Sequence, residues 1–169
     1  MILRWLTPTR YAPSVLTIDP QQLTGEGIRG VILDLDNTVI AWDAAVPSAA
    51  VREWVDRLRQ AGLKACIVSN NFMGRAQAIG GILGIPVGRA AVKPTPWAFR
   101  KAMTIMGISA GQTALIGDQL FTDILGGNLL GMCTILVDPL STQEFPTTKL
   151  IRRLEGLVRA RVLRRMRSR

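Results

Sequence analysis

Residues 30–43 read GVILDLDNTVIAWD. The run Val31-Ile32-Leu33 is continuous and apolar, the pattern of a strand covered on both faces in a parallel sheet. It ends on two aspartates spaced by one residue, Asp34 and Asp36, followed by Asn37 and Thr38. A core does not hold carboxylates unless something pairs with them. The strand is therefore expected to stop at Leu33, and its carboxylates to emerge where the sheet opens.

The same pattern recurs along the chain. Residues 28–33 read as a strand. Residues 49–61 read as a helix entered through Pro47-Ser48, with Val51, Trp54, Val55 and Leu58 on one stripe and Gly62 after it. Residues 63–68 are strand-like, residues 73–83 helical, and residues 86–88 a weak strand. Thr95-Pro96 is a cap and first-turn pair for a helix running to Met106, with Gly107 beyond. A strand over 113–116, a helix over 120–130 and a strand over 133–137 complete the series. Strands alternating with helices predict βαβ units and an α/β fold, a Rossmann-like parallel sheet sandwiched by helices. Residues 1–27, punctuated by Pro8, Pro13 and Pro20, are expected to form an extended arm with a helical turn near 20–24. Residues 28–148 form the body. Residues 149–169 form a basic helix with Ile151, Leu154, Val158 and Val162 on one stripe.

Composition narrows the chemistry. The 169 residues suffice for one domain with a full core, and an apolar fraction of 48% excludes a disordered chain. No run of about 18 apolar residues predicts a spanning helix. The start, MILRWL, is too short for a secretory signal, so the chain reads as intracellular and cytoplasmic. Histidine is absent, which removes Ser-His-Asp triads, Cys-His dyads and histidine-ligated zinc. Cys66 and Cys133 lie in apolar surroundings and read as thiols buried in strands. Of the net charge of +9, residues 149–169 hold +8, from nine Lys/Arg and one Glu. A nearly neutral body carries a basic tail.

Four sets of polar residues follow the apolar runs: Asp34 and Asp36; Ser69-Asn70-Asn71; Lys93; and Asp118 with Asp123. Ligands of an open parallel sheet bind beyond the carboxyl ends of its strands, so these sets should meet at one rim. Clustered carboxylates repel unless a cation joins them, and an all-oxygen set suits Mg²⁺. Lys and Ser beside them can hold phosphate oxygens. One carboxylate can act as nucleophile while its neighbour two residues on works first as acid and then as base. Mg²⁺-dependent transfer of a phosphoryl group to water follows.

The segments DLDNT, VSNN, KPTP and IGDQLFTD resemble, in order, the four motifs of the haloacid dehalogenase (HAD) superfamily of phosphatases. The resemblance covers about residues 28–138. It implies that Asp34 is the nucleophile and a metal ligand. Asp36 would be the general acid/base, with its backbone carbonyl on the metal. Thr38 would support the loop. Ser69 would bind the phosphoryl group with backbone help from Asn70, and Lys93 would neutralise nucleophile and phosphate. Asp118 would ligate Mg²⁺ and Asp123 support its water shell. A longer pattern, including IGDQLFTDILGGN, is similar to the YqeG-type subfamily, related to phosphatidylglycerophosphate phosphatases. Gly126, Gly127 and Asn128 in it read as packing and helix residues. The intervals Thr38–Ser69 and Ser69–Lys93 are too short for a cap domain, so a capless type IIIA enzyme with an open site is expected.

The expected substrate is a lipid phosphate such as phosphatidylglycerophosphate, met at a membrane that the basic tail touches peripherally. A soluble sugar phosphate, nucleotide or phosphoprotein is the alternative. A third reading has the tail bind RNA or ribosomes, though it has no aromatic residue after Phe145 for base stacking. The sequence does not fix the oligomeric state.

Overall fold

The computed structural model describes residues 3–70, 73–88, 93–141 and 146–167. In chain order the elements are α1 (Leu3–Leu6), β1 (Arg10–Ala12), a 3₁₀ turn (Val15–Thr17), α2 (Pro20–Gly25), β2 (Gly30–Leu33), α3 (Ala49–Gln60), β3 (Lys64–Ile67) and α4 (Met73–Leu83). Then come α5 (Pro96–Met106), a 3₁₀ turn (Ala110–Gln112), β4 (Thr113–Gly117), a π-helical turn (Leu120–Ile124), α6 (Leu125–Leu129), β5 (Cys133–Val137) and α7 (Pro146–Arg167). The five strands form one parallel sheet in the order β1-β5-β4-β2-β3.

The sheet is covered on both faces, as its unbroken apolar strands require. Val31, Leu33, Ile67 and Ile116 face the stripes of α3 and α4, where Val51, Trp54, Leu58, Ile79 and Leu83 are buried. Ile32, Cys66 and Leu115 face α5 through Phe99, Ala102 and Met106. Local signals set the helix ends. The Ser48 hydroxyl accepts from the Val51 N–H at 3.2 Å, and Gly107 closes α5 in the left-handed region at φ 66°.

Five sequence expectations change. The arm is not merely extended: β1 pairs in parallel with β5, Arg10 opposite Ile135 and Ala12 opposite Val137, and becomes an edge of the sheet. The weak strand at 86–88 is a single bridge between Ile67 and Val87. The helix expected over 120–130 opens with the π-helical turn, and the tail helix starts at Pro146 rather than 149. Both cysteines lie in strands, but only Cys66 is buried and Cys133 is half-buried. Burial pushes the Cys66 thiol up to about 11, which disfavours its reactive thiolate form.

The tail helix is docked rather than free. Val162 is buried with Leu6, Leu120, Ile124 and Leu136, and Val158 and Leu163 pack against that cluster. The buried Glu155 carboxylate accepts from the Phe121 N–H at 2.8 Å. Ile151 and Leu154, expected on the same stripe, have side chains outside the described set. Among the described residues no helix is long and apolar enough to cross a membrane. No cap domain occurs among them between Thr38 and Lys93; a loop, α3, β3 and α4 fill that stretch.

Candidate active site

Strand register brings the polar groups together. Leu33 lies opposite Ile67 on one side and Ile116 on the other. The Asp34 N–H continues the ladder onto the Ile116 carbonyl at 2.9 Å, and the Val68 N–H onto the Leu33 carbonyl at 2.9 Å. Asp34 is therefore level with Val68 and Gly117, and Ser69 and Asp118 follow one residue beyond on the two neighbouring strands. Asp34, Ser69 and Asp118 are buried, as are Lys93, Thr38 and Asp123.

Lys93 is the hub. Its ammonium donates to Asp34 Oδ1 and, at 2.7 Å, to Asp123 Oδ1. The Thr38 hydroxyl lies 3.2 Å from Asp34 Oδ2 and 3.3 Å from Asp118 Oδ1, bridging the two carboxylates. Asn37, in the left-handed region at φ 61°, makes the turn that brings Thr38 back. The Asn70 side chain clamps the Lys93 backbone: Oδ1 accepts from the Lys93 N–H at 2.6 Å and Nδ2 donates to its carbonyl at 3.4 Å. That contact is separate from the phosphate contact, which was expected through the Asn70 backbone. Ser69 is buried just beyond the end of β3; Asn71 lies outside the described residues.

The carboxyl groups are crowded. Carboxylate oxygens of Asp34, Asp118 and Asp123, all buried, lie within 4.8 Å of one another. Lys93 pairs with two of them, Asp34 and Asp123. Burial alone would strip the charge from Lys93, but Asp123 and Asp34 reverse that and hold it above the ordinary lysine value. Burial raises the Asp123 carboxyl from 3.8 to about 7; Lys93 opposes the rise, and Asp34 and Asp118 add to it. Three buried carboxyl groups this close together fit a hard divalent cation.

A pH dependence follows. The native Asp123 binds its proton more tightly than the unfolded chain does. Its contribution to stability is full below about 4 and is lost as pH rises through about 7. A cation competes with that proton. The rise in melting temperature on adding Mg²⁺ should therefore be larger at pH 8 than at pH 5. Thermal melts with EDTA and with Mg²⁺ at both pH values check it, and an equal rise would count against a cation at this cluster.

The Asp36 side chain stands apart from the cluster, half-buried, with Oδ1 accepting from Arg75 Nε at 3.0 Å. Its expected link to the metal was through its backbone carbonyl, which needs no carboxylate there. Several residues were not singled out from sequence. Arg75 is one. Gly117 is another: a Cβ there would lie 2.4 Å from the Asp123 carboxyl, so glycine lets Asp123 fold back under the strand end. Arg159 of α7 reaches the rim, donating to the Asp118 carbonyl at 3.3 Å and the Val137 carbonyl at 3.2 Å and pairing with Asp138 at 2.7 Å. Gly126, Gly127 and Asn128 do pack rather than face the cluster. A Cβ on the two glycines would meet Phe99 and Thr134, and Asn128 Nδ2 donates to the Trp5 and Thr7 carbonyls.

Comparison with known proteins agrees with this arrangement. The haloacid dehalogenase-like hydrolase family matches residues 14–131. The probable phosphatase YqeG of Bacillus subtilis is 36% identical over 155 residues, spanning 92% of this chain and 90% of that protein. Phosphatidylglycerophosphate phosphatase 1 of Arabidopsis thaliana is 30% identical over 158 residues, 88% of this chain. The chain spans only 45% of that plant enzyme. The cobalt-bound deoxy-D-mannose-octulosonate 8-phosphate phosphatase of Haemophilus influenzae shares the fold, with a TM-score of 0.53 and 20% identity over 66% of this chain and 69% of that one. With four motifs meeting at the rim of a parallel sheet, and with these relatives, the chain belongs to the haloacid dehalogenase-like hydrolases, as one of their phosphatases.

Proposed function

We propose that this phosphatase is Mg²⁺-dependent, works through an aspartyl-phosphate on Asp34, and takes a lipid phosphomonoester at a membrane surface, with phosphatidylglycerophosphate the first candidate. The carrying observation is the setting of Asp34: buried, ion-paired with Lys93 and bridged through Thr38 to Asp118. Lys93 and Thr38 hold the carboxylate in one orientation. An Asp34 oxygen attacks phosphorus and the bond to the leaving oxygen breaks. Asp36 gives that oxygen its proton. Asp36, now ionised, takes a proton from water; the hydroxide attacks phosphorus, the bond to Asp34 breaks, and phosphate leaves. Lys93 and Ser69 neutralise and hold the phosphoryl oxygens. Bound Mg²⁺, held by Asp34, Asp118 and the Asp36 backbone carbonyl with Asp123 behind them, would draw charge off the transferring group.

The lipid part rests on three supports. The chain matches YqeG along nearly its whole length, and the plant relative's name specifies phosphatidylglycerophosphate. No cap closes over the rim among the described residues. Arg161, Arg164 and Arg165 are exposed on a helix docked beside that rim, suited to anionic headgroups. The test is turnover by purified protein with Mg²⁺ or EDTA on phosphatidylglycerophosphate in mixed micelles, sugar phosphates, nucleotides and a phosphopeptide. The lipid should be preferred by at least about tenfold in kcat/KM, and EDTA should abolish turnover. Preference for a soluble phosphate would reject the lipid substrate and leave the chemistry standing.

A further inference from the structure

Arg75 is absorbed by none of the four motifs, yet all three of its guanidinium nitrogens are engaged beside the site. Nε pairs with Asp36 Oδ1 at 3.0 Å, Nη1 donates to the Ala44 carbonyl at 2.8 Å, and Nη2 donates to the Ala41 carbonyl at 3.0 Å. The guanidinium also lies 6.0 Å from the centre of the Trp42 ring. Arg75 sits in the first turn of α4, a separate βαβ unit from the loop it holds. Within the loop, Asn37 Oδ1 accepts from the Trp42 N–H at 3.2 Å. Segment 36–44 is thus pinned at both ends, and the Asp36 carboxylate is part of what Arg75 pins.

We infer that Arg75 is a positioning residue for proton transfer by Asp36. The rigid, planar guanidinium holds a carboxylate oxygen of Asp36 at a fixed angle. Because two further nitrogens grip the loop backbone, carboxylate and loop move as one piece. Asp36 leaves a short turn and is only half-buried, so its own packing fixes it less than the buried Asp34. A misplacement of about 1 Å at such a group is worth about 10²-fold in rate. This inference rests on the proposed roles of Asp34 and Asp36.

The test separates positioning from general support of the fold. kcat/KM reports steps up to breakage of the ester bond. Nitrophenolate leaves without a proton, whereas an alkoxide needs one. In full-length Arg75→Gln with Mg²⁺, kcat/KM for an alkyl phosphate such as glycerol 3-phosphate should fall about 10–100-fold. That for p-nitrophenyl phosphate should fall less than about threefold. Equal losses on both substrates, or no loss on either, overturn the inference. Arg75→Lys keeps the charge and gives up the planar guanidinium. It should fold and show the same selective loss at smaller size, and a wild-type substrate ratio in it overturns the inference as well. In an Asp36→Asn background, Arg75→Gln should add less than about twofold, because the residue it acts through is gone. A full further loss there means Arg75 works by another route. If Asp34→Asn turns over either substrate like the wild type, the proposed chemistry fails, and that result is distinct from these.

Discussion

Asp34→Asn will turn over no phosphomonoester at a measurable rate, a loss of at least about 10⁴-fold, while the protein stays folded. Removing the nucleophile of an enzyme with a covalent intermediate costs about 10⁴–10⁶-fold, since the remaining groups lose the step they assist. An amide oxygen carries no full charge and its attack yields no acyl phosphate. The fold should survive because the change is isosteric. Lys93 keeps Asp123 at 2.7 Å, and the amide oxygen can still accept from Lys93 or Thr38. Acid-quenched reactions with radiolabelled substrate make the point directly. Wild type should carry a transient label, and Asp34→Asn none. Asp36→Asn should behave differently: with p-nitrophenyl phosphate it forms the phosphoenzyme without needing an acid and then lacks the base for hydrolysis, so label should accumulate. Turnover by Asp34→Asn at the wild-type rate, or label retained in it, would remove Asp34 from the chemistry.

The sheet and the meeting of Asp34, Ser69 and Asp118 were legible because they follow from one-dimensional signals. Val31-Ile32-Leu33 and Thr113–Gly117 are apolar runs with no alternation, which only a sheet covered on both faces accommodates. Parallel strands in register then put their ends at one level. What was not legible came from contacts between segments distant in sequence. Arg10–Ala12 reads RYA, with no apolar run, and is a strand only because β5 offers an open edge. Arg75 looks like an ordinary helix-surface arginine until segment 36–44 folds over it. The Asn70 amide follows a strand in the manner of a cap, and its clamp on Lys93 spans 23 residues. Gly117 could have been noticed, since a glycine directly before Asp118 in IGDQLFTD breaks the apolar run. Its reason, the returning Asp123 carboxyl, requires the π-helical turn, which has no sequence signature.

The tail provides the second large effect. Counting charges gives a tail and body that should behave separately, so that deleting residues 150–169 would spare activity on a small soluble phosphate. The packing of α7 predicts the opposite. Removing it would expose Leu6, Leu120, Ile124 and Leu136, each worth about 1.5–3 kcal/mol when buried. It would also strip the Phe121 N–H of Glu155 and the Asp118 carbonyl of Arg159. Against a typical total stability of 5–15 kcal/mol, that loss leaves little margin. The truncated chain should therefore melt far below the full-length protein and lose activity on p-nitrophenyl phosphate too. Glu155→Ala isolates the local part: it leaves the Phe121 N–H without its acceptor, loosens the turn carrying Asp123, and should lower the melting temperature and weaken Mg²⁺ protection together. The exposed arginines separate from all of this. Reversing the charge of Arg161, Arg164 and Arg165 touches none of these buried contacts, so p-nitrophenyl phosphate turnover should hold within about twofold. Binding to anionic vesicles should fall, and should already weaken in wild type with added salt, since screening shortens to about 3 Å at 1 M. Unchanged vesicle binding alongside lost RNA binding would transfer those arginines to a nucleic-acid partner. Full soluble activity after truncation would mean that α7 does not support the Asp118 turn, and that the basic helix serves only as a surface.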